Sequence, residues 1–288
     1  MGQIDPAFLD TPQFVELRLS AELGREVVVK VETLNPIGSF KGRGTSLLAR
    51  TLDPTCTWVC ATAGNFGQGL AYAARAWDAT VHAFVGPEVP RGKVERMRLL
   101  GARVEVCERP GEAARAHAAG DGRLLVVDGL DPAVAEGAGT IGLELERIGP
   151  IDTAVIQLGD GALVSGVAHW LKSRLPSMRV VGVCAAGAPA MAESFATGRP
   201  VSVQGTGTIA AALAITEPVP ESLDRVLALV DEVVLVDDDD LRSAMTMIAE
   251  NTGVLVEPAG AAGVAALKRH SASLPGDRVA LLLTGTAA

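Results

Sequence analysis

Aromatic side chains are scarce in this 288-residue sequence: one Tyr, six Phe and three Trp give 3%, and no aromatic cluster points to a bulky substrate. Positive charge is also short. Lys and Arg total 25 against 34 Asp and Glu, and a net charge of -9 opposes phosphate-backbone binding, so nucleic acid is excluded as an expected partner. No stretch reaches the ~20 uninterrupted apolar residues that span a bilayer, and Met1 to Asp10 lacks a basic region followed by an apolar run. The expectation is a cytoplasmic protein with no membrane partner. Cysteine is limited to Cys56, Cys60, Cys107 and Cys184, without Cys-x-x-Cys spacing, and these read as buried apolar thiols on strands. His82, His117, His169 and His270 are far apart in sequence, so a His-based metal site is not expected. No 20- to 50-residue repeat and no flexible Ser, Gly or Pro linker is recognisable.

Hydrophobic residues make up 48%, enough for one large core or two smaller ones. Val-rich runs read as strands at residues 27–31, 57–61, 81–85, 103–106, 124–127, 154–158, 180–183, 233–236 and 279–283. Helical periodicity falls between them at 69–77, 93–100, 139–148, 167–175, 241–250 and 263–269. Strand and helix alternate, so the fold class is α/β, with mostly parallel sheet covered on both faces and two lobes joined by short connections. Ligands of such sheets collect beyond the carboxyl ends of strands, which directs attention to the loops that follow strands.

Three of these loops carry chemistry. Glu32-Thr-Leu-Asn-Pro-Ile-Gly-Ser-Phe-Lys41-Gly-Arg-Gly44 places a lysine after a strand and at the opening of a helix. Apolar neighbours and the positive helix end both predict a lowered pKa there, toward the free amine that forms an imine, although a solvated lysine in a Gly-rich turn has the same local sequence. Cys60-Ala-Thr62-Ala63-Gly64-Asn65-Phe-Gly-Gln-Gly69 offers helix-start amides for a carboxylate and an Asn65 side chain for a ring hydroxyl; Asn65 is equally compatible with a plain helix cap. In Leu158-Gly159-Asp160-Gly161-Ala162-Leu163-Val-Ser-Gly166, successive amides could cradle a phosphate, provided the Asp160 side chain turns outward. It does not have the Gly and Lys spacing of a nucleotide P-loop.

Taken in this order, the loops resemble those of the fold-type II pyridoxal 5′-phosphate (PLP) enzymes, the tryptophan synthase β superfamily. Within it the likeness is to threonine or serine dehydratases and serine racemases, through Ser39-Phe-Lys-Gly-Arg-Gly44, Ala63-Gly-Asn-Phe-Gly-Gln68, Gly137-Ala-Gly-Thr-Ile-Gly-Leu-Glu144 and Val256-Glu-Pro-Ala-Gly260. The resemblance covers nearly the whole chain. It implies two open, twisted, mostly parallel sheets with helices on both faces and the cofactor in the cleft between them. The large domain would comprise residues 1–43 and 127–288, with 44–126 as a small inserted domain, and the protein would be a homodimer.

By the same resemblance Lys41 would be the catalytic Schiff-base lysine, with Phe40 beside the cofactor and Asn65 at the pyridine hydroxyl. Gly159, Asp160, Gly161, Ala162 and Leu163 would cradle the phosphate, and Thr284 would face the pyridine nitrogen. Thr62, Ala63, Gly64 and Asn65 would bind the substrate carboxylate. The implied reaction is α,β-elimination from a small β-hydroxy amino acid such as L-threonine or L-serine, giving a 2-keto acid and ammonia, with Cα proton removal by Lys41 and the cofactor phosphate as acid.

Departures narrow this. Ala63 stands where serine racemases carry a second catalytic serine, which disfavours racemisation. Val183-Cys-Ala-Ala-Gly-Ala-Pro-Ala190 lacks the family's divalent-cation ligands. Thr208-Ile-Ala-Ala211-Ala212 places a methyl where relatives have glycine, which bears on threonine as substrate. The chain's end at Ala288 argues against a regulatory domain and isoleucine feedback. The alternatives are β-replacement of the cysteine synthase-like or diaminopropionate-forming kind, threonine synthase-like chemistry and a non-catalytic PLP-binding protein. A dinucleotide-binding dehydrogenase ranks last, because the first strand leads to Asn35-Pro36 rather than to Gly-x-Gly-x-x-Gly.

Overall fold

A computed structural model describes residues 2–287 and divides the strands between two sheets. The strands are β1 (Gln13–Val15), β2 (Glu26–Val31), β3 (Thr57–Ala61), β4 (Val81–Val85), β5 (Arg103–Val106), β6 (Arg123–Leu125), β7 (Thr153–Gln157), β8 (Arg179–Ala185), β9 (Glu232–Val236) and β10 (Arg278–Leu283). The helices are α1 (Leu17–Leu23), α2 (Lys41–Leu48), α3 (Asn65–Ala74), α4 (Arg91–Leu99), α5 (Pro110–Ala118), α6 (Pro132–Glu146), α7 (Ala162–Arg174), α8 (Ala190–Thr197), α9 (Pro220–Leu229), α10 (Asp238–Thr252) and α11 (Pro258–Arg269). The larger sheet runs β1-β2-β10-β7-β8-β9, parallel except for β1, and the smaller runs β5-β4-β3-β6, parallel throughout. The α/β class and the two mostly parallel sheets are therefore as expected.

The pairing of β2 with β10 shows why the central strands read as unbroken apolar runs. Val27 pairs with Val279 and Val29 with Leu281, and all four are fully buried because helices cover both faces. Each of the expected strands has a counterpart within about two residues at either end, the usual precision of a boundary read from periodicity. What periodicity missed is β1, only three residues long, and the short or polar helices α1, α5, α8 and α9.

Helices α2 and α6 cross at a glycine contact. A Cβ on Gly137 would sit 2.5 Å from the Gly44 Cα, so both backbones can approach only because neither residue has a side chain. This crossing seats the first turn of α2, which begins with Lys41. The cysteine expectation needs correction. Cys60 and Cys184 are buried on β3 and β8, and burial pushes both thiols up to about 12, but Cys56 and Cys107 lie off the strands and are only half-buried. The histidines also come together more than their spacing suggests: His82 on β4 and His117 on α5 approach to 3.0 Å. Among the described residues no helix is long and apolar enough to cross a membrane.

Candidate active site

The loops singled out above converge at the carboxyl ends of β2, β3, β7 and β10, around a cavity of about 580 Å³ between the sheets. That volume lies within the ~300–1,000 Å³ usual for small-molecule sites. Phe40, Lys41, Thr62, Ala63, Asn65, Gly159, Asp160, Gly161, Leu163 and Thr284 all line it. Gly64 and Ala162 do not: the Lys93 side chain lies over Gly64, where a Cβ would come 2.6 Å from Cδ, and Ala162 is buried in the first turn of α7.

Lys41 is the first residue of α2, and its Nζ donates to Asp128 Oδ2 at 2.6 Å and to Asp160 Oδ2 at 3.3 Å. The lowered pKa expected from sequence is not what the fold produces. Burial does lower it, but Coulombic attraction to Asp128 and then Asp160 outweighs that, and the amine is raised above the ordinary lysine range. Asp128 itself was not legible as a site residue. It follows β6, and its carboxyl is raised by burial and by the neighbouring Asp160 charge despite the Lys41 ammonium. Asp160 is held low, because the Lys41 charge and the Ala162 amide offset its burial.

The Asp160 side chain also turns inward rather than outward. Its Oδ1 accepts from the Ala162 amide at 2.9 Å, capping α7, while Oδ2 faces Lys41. A carboxylate thus sits at the positive end of α7, where helix-start amides favour an anion. The backbone of this loop is constrained on both sides. Gly161 has φ +95°, and a Cβ on Gly159 would lie 2.5 Å from the Ala212 carbonyl, so the Thr208–Ala212 segment closes directly over the glycine loop.

On the opposite wall, Thr62 Oγ1 accepts from the Gly64 amide at 2.9 Å and from the Gly67 amide at 3.1 Å. Its hydroxyl oxygen therefore holds the turn, and the Gly64 amide is already used within the loop. Asn65 Nδ2 donates to Glu257 Oε1 at 2.6 Å, and Lys93 Nζ pairs with Glu257 Oε2. Both members of that pair are buried: 5% and 12% of the Lys93 and Glu257 side chains is exposed. The pair joins α4, over the smaller sheet, to the residue that precedes α11, on the larger one. Glu257 lay within a quoted motif, but nothing local signalled that it would orient Asn65.

Removing one partner of this pair leaves a buried charge uncompensated. Lys93→Met is expected to destabilise the protein by about 3 kcal/mol, and Lys93→Met with Glu257→Leu to restore most of that loss, as urea denaturation measures. Equal destabilisation in the single and double variants would show that the pair contributes nothing through its charge.

Behind Lys41, Arg43 is completely buried and donates from Nε to Glu32 Oε2 at 2.8 Å and from Nη1 to Glu144 Oε1 at 2.6 Å. Lys30 Nζ reaches Glu144 Oε2 at 2.5 Å, and Thr11 Oγ1 donates to Glu32 Oε1 at 2.6 Å. Two cations and two carboxylates thus balance beneath the first turn of α2. Among the described residues no group of three or more His, Cys, Asp or Glu could hold a metal ion.

Residues 4–285 match the model of the pyridoxal-phosphate dependent enzyme family. The chain belongs to the pyridoxal-phosphate dependent enzymes. It is 34% identical over 275 residues to an L-threonine ammonia-lyase of Thermotoga maritima, covering 93% of this chain and 68% of that protein. It is also 34% identical over 285 residues to a phenylserine dehydratase of Ralstonia pickettii, covering 96% and 87%. Among solved structures, a threonine deaminase from T.th. superposes with a TM-score of 0.88 at 30% identity, over 96% of this chain and 92% of the other. A maize serine racemase gives 0.89 at 28%, over 96% and 88%. The fold is fold-type II.

The cavity of this PLP enzyme fits its cofactor by donor chemistry. A primary amine, Lys41, and the amino end of a Gly-lined helix, α7, meet in one space, and the Asp160 carboxylate bridging them stands in for an anion there. Phe40 and Thr284 line the same space.

Proposed function

We propose that the chain eliminates water from a small β-hydroxy amino acid such as L-serine or L-threonine, releasing a 2-keto acid and ammonia. The observation that carries this reading is the Lys41 amine set in the cavity against the α7 amino end, in a chain matched along residues 4–285 to PLP enzymes. The dehydratase and ammonia-lyase relatives support the choice of reaction.

When bound, PLP supplies an electron sink that acidifies the substrate Cα–H bond. Gly159 to Leu163 would hold its phosphate, with Asp160 yielding its place at the helix end, while Phe40 and Asn65 flank the ring and Thr284 faces the ring nitrogen. A hydroxyl in that last position leaves the nitrogen largely unprotonated and moderates the sink, which suits elimination better than transamination. Asn65 and the Thr62–Gly64 turn would hold the substrate carboxylate and so set Cα–H toward Lys41. Lys41 Nζ, freed from its own bond to the cofactor, takes the Cα proton. Leu213, Ile215 and Met245 line the same cavity and exclude water from it. Ala63 also lines the cavity, and its methyl has no proton to give, which supports elimination over racemisation.

The same reading divides the chain into a large unit, 1–43 with 127–288, and a small one, 44–126. It also makes the protein a cytoplasmic homodimer. An open groove lined by Ala135, Gly139, Thr140, Gly166, His169 and Trp170 along α6 and α7 supports a second copy docking there.

The test is an absorbance spectrum of the purified protein with PLP, in which a lysine-bound cofactor gives a band at roughly 420 nm, followed by keto-acid assay on L-serine and L-threonine. A band with pyruvate or 2-ketobutyrate release is the expected result. A band that shifts with substrate but yields no keto acid would replace elimination with β-replacement.

A further inference from the structure

The six titratable side chains lining the cavity are Lys41, Glu88, Lys93, Asp128, Asp160 and Glu257. Lys93 and Glu257 are spent on one another, and Glu88 is exposed at the rim. Asp160 has one oxygen on the α7 cap. Asp128 differs from all of these. One of its oxygens lies 2.6 Å from Lys41 Nζ, and the other, Oδ1, is buried without any hydrogen-bond partner. A buried carboxylate oxygen left without a donor is costly, and the two remedies are a proton or the hydroxyl of a ligand.

The reaction creates a demand for such a group. Hydroxide is a poor leaving group, so expulsion of a β-hydroxyl needs a proton delivered as the carbon–oxygen bond breaks. Lys41 is committed to removing the Cα proton, and Asp160 is held ionised by the helix end and the ammonium.

Resting on the elimination reading, we propose that Asp128 is a catalytic acid that protonates the departing β-hydroxyl and is recharged by Lys41. Lys41 Nζ takes the Cα proton, and that bonding pair becomes the second Cα–Cβ bond. The Cβ–O pair leaves with oxygen, which takes the Asp128 proton and departs as water. The Lys41 ammonium then returns a proton to the Asp128 carboxylate across their 2.6 Å hydrogen bond, and both groups are reset. The raised carboxyl of Asp128 accords with this role, because a group protonated near working pH is an effective acid.

The experiment compares PLP-loaded wild type and Asp128→Asn on L-serine and on β-chloro-L-alanine, whose chloride leaves without a proton. Turnover of serine is expected to fall about a hundredfold or more in the variant, while chloroalanine elimination stays within about tenfold. Infrared spectroscopy of loaded protein at neutral pH gives a second readout: a protonated-carboxyl stretch present in wild type and missing in Asp128→Asn. Equal losses on both substrates, or no loss on either, would overturn the proposal. If Asp128→Asn does not load cofactor, the wild-type spectrum decides alone, and absence of a protonated carboxyl overturns it. Wild type that releases no keto acid from either substrate would instead sink the elimination reading itself.

Discussion

Lys41→Ala should lower keto-acid formation by at least about a thousandfold and abolish the lysine-bound absorbance band. General-base catalysis is worth roughly 10²–10⁴, and Lys41 also forms the covalent attachment. The cavity offers no ready substitute, since Lys93 is the other lysine lining it and its ammonium is held by Glu257. The variant should still fold, because the cluster that seats α2 lies at Arg43 and not at Lys41. Retention of turnover within about tenfold, with Lys41→Ala properly folded by circular dichroism, would remove Lys41 from the chemistry.

Arg43→Met should be the most damaging single change to stability, about 3–5 kcal/mol, because it strands Glu32 and Glu144 as buried carboxylates with only Lys30 left to compensate. For a chain of this size the melting temperature should drop on the order of 10 °C. The guanidinium meets both carboxylates with Nε, Nη1 and Nη2, a fork that a lysine cannot reproduce, so Arg43→Lys is expected to recover only part of the loss. PLP affinity should fall in parallel, since Lys41 is two residues away on the same helical turn. Thermal unfolding of the two variants within about 1 kcal/mol of wild type would show that the network breaks even against a hydrophobic side chain.

The contrast between Lys41 and its neighbours shows where reading the chain stops. That Lys41 opens a helix after a strand is a local property, written in Ser39-Phe-Lys-Gly-Arg-Gly44, and the structure places it so. Its charge state is not local. Apolar neighbours and a helix end predict a lowered pKa, but Asp128 and Asp160, 87 and 119 residues further along, reverse the sign. Asp128 gave no signal because it is one acidic residue among 34, after a three-residue strand. Thr62 illustrates a subtler miss: a hydroxyl in a Gly-rich loop has the same sequence whether it holds the turn or a ligand, and here it accepts from the turn's own amides.

Period-two and period-3.6 patterns extend over a few residues, so they suffice for the α/β class, for the positions of the long strands and for which loops follow them. Side-by-side placement of β2 with β10, and of β10 with β7, joins residues some 250 and 125 positions apart, and no local pattern encodes it. The same holds for the ion pairs of Lys41, Arg43 and Lys93, whose energies depend on through-space distance and on burial. Backbone preference is a property of neighbours in the chain, whereas electrostatics in a desolvated cleft is a property of neighbours in space, and only the folded arrangement brings those together.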